Sequence, residues 1–474
     1  MLTKKKSLLA IVALILITTA ALAALGNRQS PLISSSASGS GTGDEPVTLS
    51  AETIQDKILK GGDGQVTVTL NLTAASLPVE DGQPAPAADL VIVLDRSGSM
   101  EGQKLADARM AVVGLLEHLG PDDRLALVTY SNGVQTPSPL MAMTGANRQQ
   151  VATIVNQIRA GGGTHLSAGL QRGIDCLLNA SGDGRQRKVI LISDGLANQG
   201  ITGTDALGRM ASIAVENQFS VSTVGVGLDF NEIVMTAIAD HGAGQYHFLE
   251  NPMVLAQVFE TELQTSRQVA AADVGIRIPL GSGVRLVRAG GYPISHEDGT
   301  AVIHPGNLLS GQSKTLYLTF QAPTDVEKTI ELGRIELEYR HGDRIQQLAA
   351  PRPLTVACVK DPSSVVASIK KENWADQVVQ EEFSRLKEAV AADIRDGNKI
   401  NAQQRIRDYE ARQSALNTVV GSKKVAKNLE TDVHALSRQV DETFAGAPAV
   451  VAEKKKQVSK AMQYESYKLR RDQK

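Results

Sequence analysis

Three oxygen-bearing side chains stand together at a spacing that suits cation binding. Asp95, Ser97 and Ser99 come at the end of the apolar run 89–95, which has the character of a strand buried on both faces. A carboxylate and two hydroxyls at alternate positions of a loop can turn toward one point. Oxygen ligands of this kind are preferred by hard cations such as Mg²⁺.

Two further oxygen ligands follow later in the chain. Thr164 comes after three consecutive glycines and just before a helical pattern, and Asp194 follows the apolar run 188–193. If the strand order of the sheet reverses between the runs that precede Asp95 and Asp194, both loops open into the same crevice. We therefore expect Asp95, Ser97, Ser99, Thr164 and Asp194 to converge.

The elements that must position these loops alternate between buried strands and amphipathic helices. This alternation is typical of an open, doubly wound and mostly parallel α/β sheet. The predicted strands cover 89–95, 124–130, 188–193 and 219–226, and the predicted helices cover 104–119, 148–159, 166–179 and 204–217.

From about Asp89 to about Thr265 the chain resembles the von Willebrand factor A (vWA) family. The five oxygen ligands match its metal-ion-dependent adhesion site one for one. The layout beyond this segment is similar to bacterial secreted or membrane-anchored vWA proteins and, more distantly, to inter-alpha-trypsin inhibitor heavy chains. Further matching segments are 124–131, 188–195, 221–227 and 244–248.

The resemblance implies a Rossmann-like fold and a bound Mg²⁺, with Mn²⁺ or Ca²⁺ as alternatives. It places Ser97, Ser99 and Thr164 next to the metal, with Asp95 and Asp194 bound directly or through water. It also implies a protein partner that offers an Asp or Glu side chain to the metal.

Alternating strands flank the α/β segment on both sides, including 66–72 before it and 314–320 after it. The earlier strands are too few to bury a face alone, so we expect them to complete an antiparallel sandwich with the later ones. The expected division is 1–26, a signal peptide or membrane anchor; 27–46, a flexible Gly/Ser linker; 47–84, strands of the sandwich; 85–265, the vWA domain; 266–360, the sandwich; and 361–474, a helical region.

The C-terminal region shows helical periodicity in two stretches that predict two or three antiparallel helices. In its last segment, 453–474, eight Lys and Arg residues face three acidic ones. The segment is interpreted as a solvated helix or tail, and contact with an anionic surface or lipid is the alternative. The periodic residues are Val379, Phe383, Leu386, Val390 and Ile394, then Val425, Leu429, Val433, Leu436 and Val440.

The N-terminus has the pattern of an export element. Three lysines, 4–6, precede the uncharged apolar run 7–25, which ends in a small-residue motif at Ala21-Leu22-Ala23. The run fits a cleaved signal peptide and is also about long enough for a membrane anchor. We expect a periplasmic or otherwise extracytoplasmic protein that contacts the membrane only through 7–25, if that segment is retained.

Composition excludes several other functions. There are 49 Lys and Arg residues against 51 Asp and Glu, a net charge of −2, which disfavours nucleic-acid binding through a basic field. Two cysteines are too few for a disulfide framework. The sequence carries no P-loop, Gly-x-Ser-x-Gly, His-Glu-x-x-His or Gly-x-Gly-x-x-Gly motif, so a non-enzymatic role is expected.

The sequence therefore predicts metal-dependent protein binding by an exported vWA protein. The alternative is a scaffold or assembly factor of the cell envelope that acts through its sandwich and helices, with the metal mainly stabilising the fold. A third, weaker hypothesis is a metal-dependent hydrolase.

Overall fold

The computed structural model describes residues 37–38, 46–76, 87–180, 185–342 and 344–471, with residues 37, 38, 252, 266 and 267 described by their backbone alone. The predicted export element and most of the predicted linker lie outside the described residues. Within the described part of the chain, no helix has both the length and the apolar character needed to cross a membrane.

The first strands are β1 (Ala37–Ser38), β2 (Val47–Thr53), β3 (Lys57–Leu59) and β4 (Gln65–Ala74). The alternation in β4 buries Val66, Val68, Leu70 and Leu72 completely. β2 pairs antiparallel with β4 along its whole length, and β1 pairs with β2. These strands present one apolar face that needs a partner.

An α/β unit follows, and its elements alternate as the sequence predicts. It begins with β5, all eight residues of which are buried. The elements are β5 (Ala88–Asp95), α1 (Gln103–His118), β6 (Arg124–Tyr130), β7 (Val134–Ala142), α2 (Gly145–Gln157), α3 (Leu166–Leu178), β8 (Gln186–Ser193), α4 (Thr204–Glu216), β9 (Ser220–Val226), α5 (Glu232–His241), β10 (Ala243–Leu249) and α6 (Leu255–Arg267).

The sheet of this unit has the order β10-β9-β8-β5-β6-β7 and is parallel except for β7. Its order reverses between β5 and β8, which lie side by side. Separate apolar cores cover its two faces, so the prediction of a doubly wound, mostly parallel sheet is confirmed. The alternation did not predict β7, which contains Pro137 and Pro139; prolines are tolerated there because β7 is an edge strand.

Ten more strands follow the α/β unit. Their bounds are β11 (Val269–Pro279), β12 (Arg285–Ala289), β13 (Ser295–Glu297), β14 (Thr300–Ile303), β15 (Leu308–Leu309), β16 (Ser313–Gln321), β17 (Thr329–Gly333), β18 (Glu336–His341), β19 (Arg344–Ala349) and β20 (Leu354–Val359). β13 and β14 form a hairpin, and at its turn Asp298 and Gly299 both have positive φ.

Strands from both sides of the α/β unit share one sheet. β4 pairs antiparallel with β16 from Gln65 opposite Gln321 to Thr73 opposite Ser313, giving the order β1-β2-β4-β16-β12. A second sheet has the order β13-β14-β11-β18-β19, with β15 beside β11, and a third has the order β17-β20-β3. The three sheets enclose one apolar core.

The C-terminal region contains more helices than the two or three predicted. A π-helical turn in α8 adds a residue, so Val378, and not Val379, is fully buried. The helices are α7 (Pro362–Ala367); α8, built from Lys371–Gln377, the π-helical Val378–Glu382 and Phe383–Arg395; α9 (Lys399–Val420); α10, built from Lys423–Lys427, the π-helical Asn428–Val433 and His434–Thr443; and α11 (Pro448–Arg471).

The last helix packs against the α/β unit. Its basic side chains were predicted to be solvated, and this prediction was wrong for three of them. Lys460 is 4% exposed and donates to Glu232 Oε2 over 2.6 Å. Arg470 and Arg471 both pair with Asp240 at the other end of α5. These ion pairs hold α11 against both ends of α5.

A buried ion pair holds α6 to the sheet. Lys188 Nζ on β8 lies 2.6 Å from Glu262 Oε2, and His247 Nε2 lies 2.6 Å from Glu262 Oε1. Burial raises the pKa of Glu262, but the Lys188 ammonium and the hydrogen bond from His247 outweigh this effect and lower the pKa from 4.5 to about 2. The ionised form of Glu262 is therefore the stable one in the folded protein.

Glu262→Gln should lower the free energy of unfolding at pH 7 by about 3–5 kcal/mol, because it leaves a buried ammonium without its carboxylate. Since the folded pKa lies below 4.5, the contribution of ionised Glu262 is present above that pH and is lost as the pH falls toward about 2. Urea unfolding at pH 7 and pH 3 measures both effects. Glu260→Gln, at an exposed position of the same helix, is the control. An equal loss in both variants would contradict the assignment.

Candidate functional site

The reversal of strand order brings two of the three loops together. β5 ends at Asp95 and β8 ends at Ser193, directly before Asp194. The strands are parallel neighbours, with Leu94 opposite Ile192, so their carboxyl ends meet at one edge of the sheet. Both carboxylates are completely buried.

The loop after β5 turns its oxygen atoms toward Asp194. The Ser97 amide donates to Asp95 Oδ1 over 2.8 Å, which closes a tight turn. The Oγ atoms of Ser97 and Ser99 lie 3.1 Å apart, and Ser99 Oγ donates to Asp194 Oδ1 over 2.7 Å. Hydrogen bonds thus connect four of the five predicted residues, Asp95, Ser97, Ser99 and Asp194.

Thr164 lies on the third loop and faces the same point. A Cβ placed on Gly195 would lie 3.3 Å from Ser99 Oγ and 3.6 Å from Thr164 Oγ1. Both hydroxyls therefore line the space beside Gly195, and any side chain at that position would crowd them. Thr164 is 3% exposed, whereas Ser99 is open to solvent.

Backbone and amide contacts fix the glycine-rich loop in place. The Gly98 amide donates to Gly162 O over 3.0 Å, and the Gly161 amide donates to Arg96 O over 2.8 Å. Asn132 Oδ1 accepts from the Gly163 amide over 2.6 Å, and Asn198 Oδ1 accepts from the Thr164 amide over 2.9 Å. The sequence analysis did not single out Asn132 or Asn198, because amides in loops carry no distinctive pattern.

Lys104 is a further member of the site that the sequence analysis missed. Its Nζ donates to Asp194 Oδ2 over 2.6 Å, on the opposite side of the carboxylate from Ser99. Lys104 stands in the first turn of α1, which begins directly after the loop that carries the two serines. The short separation in sequence between Lys104 and Ser99 was a signal that could have identified Lys104 as part of the site.

Burial disfavours the charged form of Asp95. Burial raises the pKa of Asp95 from 3.8 to about 6, against the hydrogen bonds from Ser97 and Ser193, which lower it, and with a smaller contribution from the nearby Asp194 charge. Ser193 Oγ donates to Asp95 Oδ2 over 2.9 Å. An ionised Asp95 is thus short of positive charge in this pocket.

The donor set fits a hard divalent cation. All five side chains offer oxygen, and the two carboxylates alone are too few for a carboxylate cage. The described part of the chain contains no group of three or more His, Cys, Asp or Glu residues that could hold a metal ion. A cation at this point would therefore need the hydroxyls of Ser97, Ser99 and Thr164, and all-oxygen coordination favours Mg²⁺, Mn²⁺ or Ca²⁺ over Zn²⁺.

His165, next to Thr164, packs against Gly200. A Cβ on Gly200 would lie 2.2 Å from His165 Nε2, so the ring lies directly against that glycine. Its amide donates to Ser131 O over 2.8 Å at the start of α3. The side chain packs against the loop formed by residues 195–203.

Comparisons with known proteins agree with this architecture. The model of the von Willebrand factor type A domain matches residues 89–261. The solved von Willebrand factor type A structure from Catenulispora acidiphila covers 88% of this chain and 96% of its own with a TM-score of 0.65 at 17% identity, which shows likeness of fold.

Several curated relatives match over more than half of the chain, and two of them illustrate the extent of the match. Uncharacterized protein sll0103 of Synechocystis sp. is 24% identical over 56% of this chain and 66% of its own length. Inter-alpha-trypsin inhibitor heavy chain H3 of Mesocricetus auratus is 26% identical over 63% of this chain and 35% of its own length. The matched part is thus just under two thirds of the first relative and about one third of the second.

Asp95→Asn should stabilise the protein in chelator at pH 7 by up to about 3 kcal/mol, the equivalent of a pKa raised by about two units. Because the folded pKa is the higher one, the wild type loses stability as the pH rises from 3.8 to about 6. The amide can still accept from Ser97 and can donate to Ser193. Chemical unfolding at pH 7 and pH 4 should show a gain that shrinks at pH 4; destabilisation at pH 7 would contradict the burial argument.

Proposed function

Since the chain contains a von Willebrand factor type A domain at residues 89–261, we propose that it binds a divalent cation, Mg²⁺ in the first place, at Asp95, Ser97, Ser99, Thr164 and Asp194. The bound cation would then capture an Asp or Glu side chain of a protein partner. The observation that carries this proposal is that the Ser99 hydroxyl contacts the buried Asp194 carboxylate and, with Thr164, lies beside Gly195, while the buried Asp95 and Ser97 lie on the same loop as Ser99.

Charge balance supports an acidic ligand. Asp95 and Asp194 supply two negative charges, and Lys104 already neutralises part of one of them through its 2.6 Å contact. The hydroxyls of Ser97, Ser99 and Thr164 are neutral. A divalent cation added to this set leaves a net positive charge, which an incoming carboxylate satisfies with a charge-assisted bond.

Exposure indicates where the partner would enter. Asp95, Asp194, Ser97 and Thr164 are each at most 3% exposed, whereas Ser99 faces solvent. The protein thus closes one side of the site and leaves the other open. The cation would supply an electrophilic coordination position there, which a ligand oxygen can take from water.

We propose a binding role rather than an enzymatic one. The polar groups that surround the five ligands are engaged in holding them: Ser193 donates to Asp95, Lys104 donates to Asp194, and Asn198 accepts from the Thr164 amide. The inter-alpha-trypsin inhibitor heavy chain, the relative matched over 63% of this chain, carries the name of an inhibitor subunit.

The proposed location is outside the cytoplasm. It rests on the lysines at 4–6 and the apolar run 7–25, which have the pattern of a signal peptide or an N-terminal anchor. We propose that the partner is a protein of that compartment.

Metal binding can be tested with Mn²⁺ or Mg²⁺ alone. Calorimetric titration of residues 27–474 should show one saturable site. Ser99→Ala and Asp194→Asn should weaken it by at least about tenfold, the scale of changes in a ligand shell. Asp205→Asn, an exposed residue in the first turn of α4, should bind like the wild type. Equal affinity in all four proteins would remove the site.

Lys104→Met should separate metal binding from carboxylate capture. Removing the ammonium frees Asp194 Oδ2 and lowers the positive charge, so the metal should bind more tightly while an acidic ligand binds more weakly. A library of immobilised Glu-containing peptides, compared with the same sequences carrying Gln, measures the second effect in Mg²⁺ and in chelator.

The peptide comparison also separates the proposed function from the scaffold alternative. Retention that requires Mg²⁺, a Glu side chain and Asp194 supports metal-dependent capture. A saturable metal site with no preference for Glu over Gln would favour a metal that stabilises the fold, with partner contacts made by the sandwich and helices.

A further inference from the structure

A second polar site lies far from the loops described above, where the α/β unit, the sandwich and the last helix meet. It is a cavity of about 290 Å³. The α/β unit contributes the edge strand β10 and Lys188 from the beginning of β8, the end of its strand opposite to Asp194. The sandwich contributes Lys314 and Tyr292, and α11 contributes Lys468 and Arg471.

The charged groups that line this cavity are all basic. They are Lys188, Lys314, Lys468 and Arg471, and no Asp or Glu is among the lining residues that the structure describes. Lys188 pairs with Glu262, and Arg471 with Asp240, so carboxylates balance these two cations from behind the wall. Among the described residues, neither Lys314 nor Lys468 has a carboxylate partner.

Lys314 is the most unusual of these cations. It is 4% exposed, and among the described residues its Nζ donates only to two backbone carbonyls, Pro305 O over 2.6 Å and Asn307 O over 3.2 Å. Burial without a counter-charge lowers the pKa of Lys314 to about 7. A buried ammonium of this kind is expensive unless an anion accompanies it.

Arg471, which also lines the cavity, adds one donor atom without a hydrogen-bond partner. Its guanidinium stacks on Tyr292, with Cζ 3.2 Å from the ring centroid, and its buried Nε makes no hydrogen bond within the described part of the chain. Lys468 Nζ lies 4.8 Å from the centroid of the Tyr464 ring and is otherwise exposed at the mouth of the cavity. Aromatic rings and cationic donors thus surround the same space.

We propose that this cavity binds a small organic anion through a phosphate or carboxylate group, with Lys314 as the inner contact and Lys468 as the outer one. The volume is that of a small metabolite rather than a polymer. Because the walls come from three parts of the fold, a bound anion would join the α/β unit, the sandwich and α11. This proposal is independent of the metal site.

Calorimetric titration of residues 27–474 with sodium phosphate and with sodium citrate, at matched ionic strength in chloride, tests the proposal and separates the two anion classes. We expect saturable binding of at least one of them. Lys314→Met and Lys468→Gln should each weaken it by at least about tenfold, the equivalent of one lost charge-assisted hydrogen bond. Binding should also raise the midpoint of thermal unfolding of the wild type.

Lys454→Gln is the matched control, because Lys454 lies on the same helix but contacts Glu442 O and Ala445 O away from the cavity. It should bind the anion like the wild type. No saturable binding of either anion by the wild type, or equal binding by all four proteins, would overturn the proposal. If Lys314→Met fails to fold, the exposed Lys468→Gln substitution decides the outcome.

Discussion

The structure depends on two carboxylates buried side by side at the carboxyl edge of a parallel sheet. Asp95 and Asp194 are both completely buried, and the pKa of Asp95, raised to about 6 by burial, reports that its charge is unfavourable there. Hydrogen bonds from the surrounding donors stabilise the charged form of Asp95 only in part. A site that keeps a buried carboxylate with too little positive charge around it has the electrostatic character of a binding site, because an incoming cation supplies the missing positive charge.

The environment of Lys104 links this site to the C-terminal helices. A Cβ on Gly227 would lie 3.3 Å from Lys104 Cε, so the loop after β9 runs directly beside that side chain. The same loop is held from the other side, where Lys460 donates to Phe230 O over 2.6 Å. The loop that borders Lys104 is therefore fixed by a residue of α11, so the helical region supports the geometry of the proposed metal site through packing.

Features that depend on a local pattern of residues could be predicted from the sequence. The unbroken apolar run that became β5 predicted a strand covered on both faces, and the loops after β5 and β8 could be placed at one edge because strand order in such sheets is constrained. Five oxygen-bearing side chains were singled out from residue type and spacing; in the structure Ser97, Ser99 and Asp194 contact one another, and Thr164 and Ser99 both lie beside Gly195. Their use for metal binding remains a proposal.

Features that depend on contacts between distant segments could not be predicted. The basic residues of α11 are visible in the sequence, but nothing there shows that Glu232 and Asp240, on a helix more than 200 residues earlier, receive them. The π-helical turn in α8 shifted the buried face by one residue and broke the simple period. The cationic cavity has no sequence signature at all, because Lys188, Lys314 and Lys468 come from three parts of the fold.

The pairing of β4 with β16 makes it entropically favourable for the α/β unit to fold before the sandwich closes. Thr73 and Ser313 hydrogen-bond through their side chains across 240 residues of chain, and the whole α/β unit lies between them. Closing so long a loop is entropically costly while the intervening chain is unfolded. The α/β unit has two apolar cores of its own, so its prior folding would shorten the effective loop. The sandwich would then close on a preformed unit, and α11, last in the chain, would dock against α5 and complete the walls of the cavity.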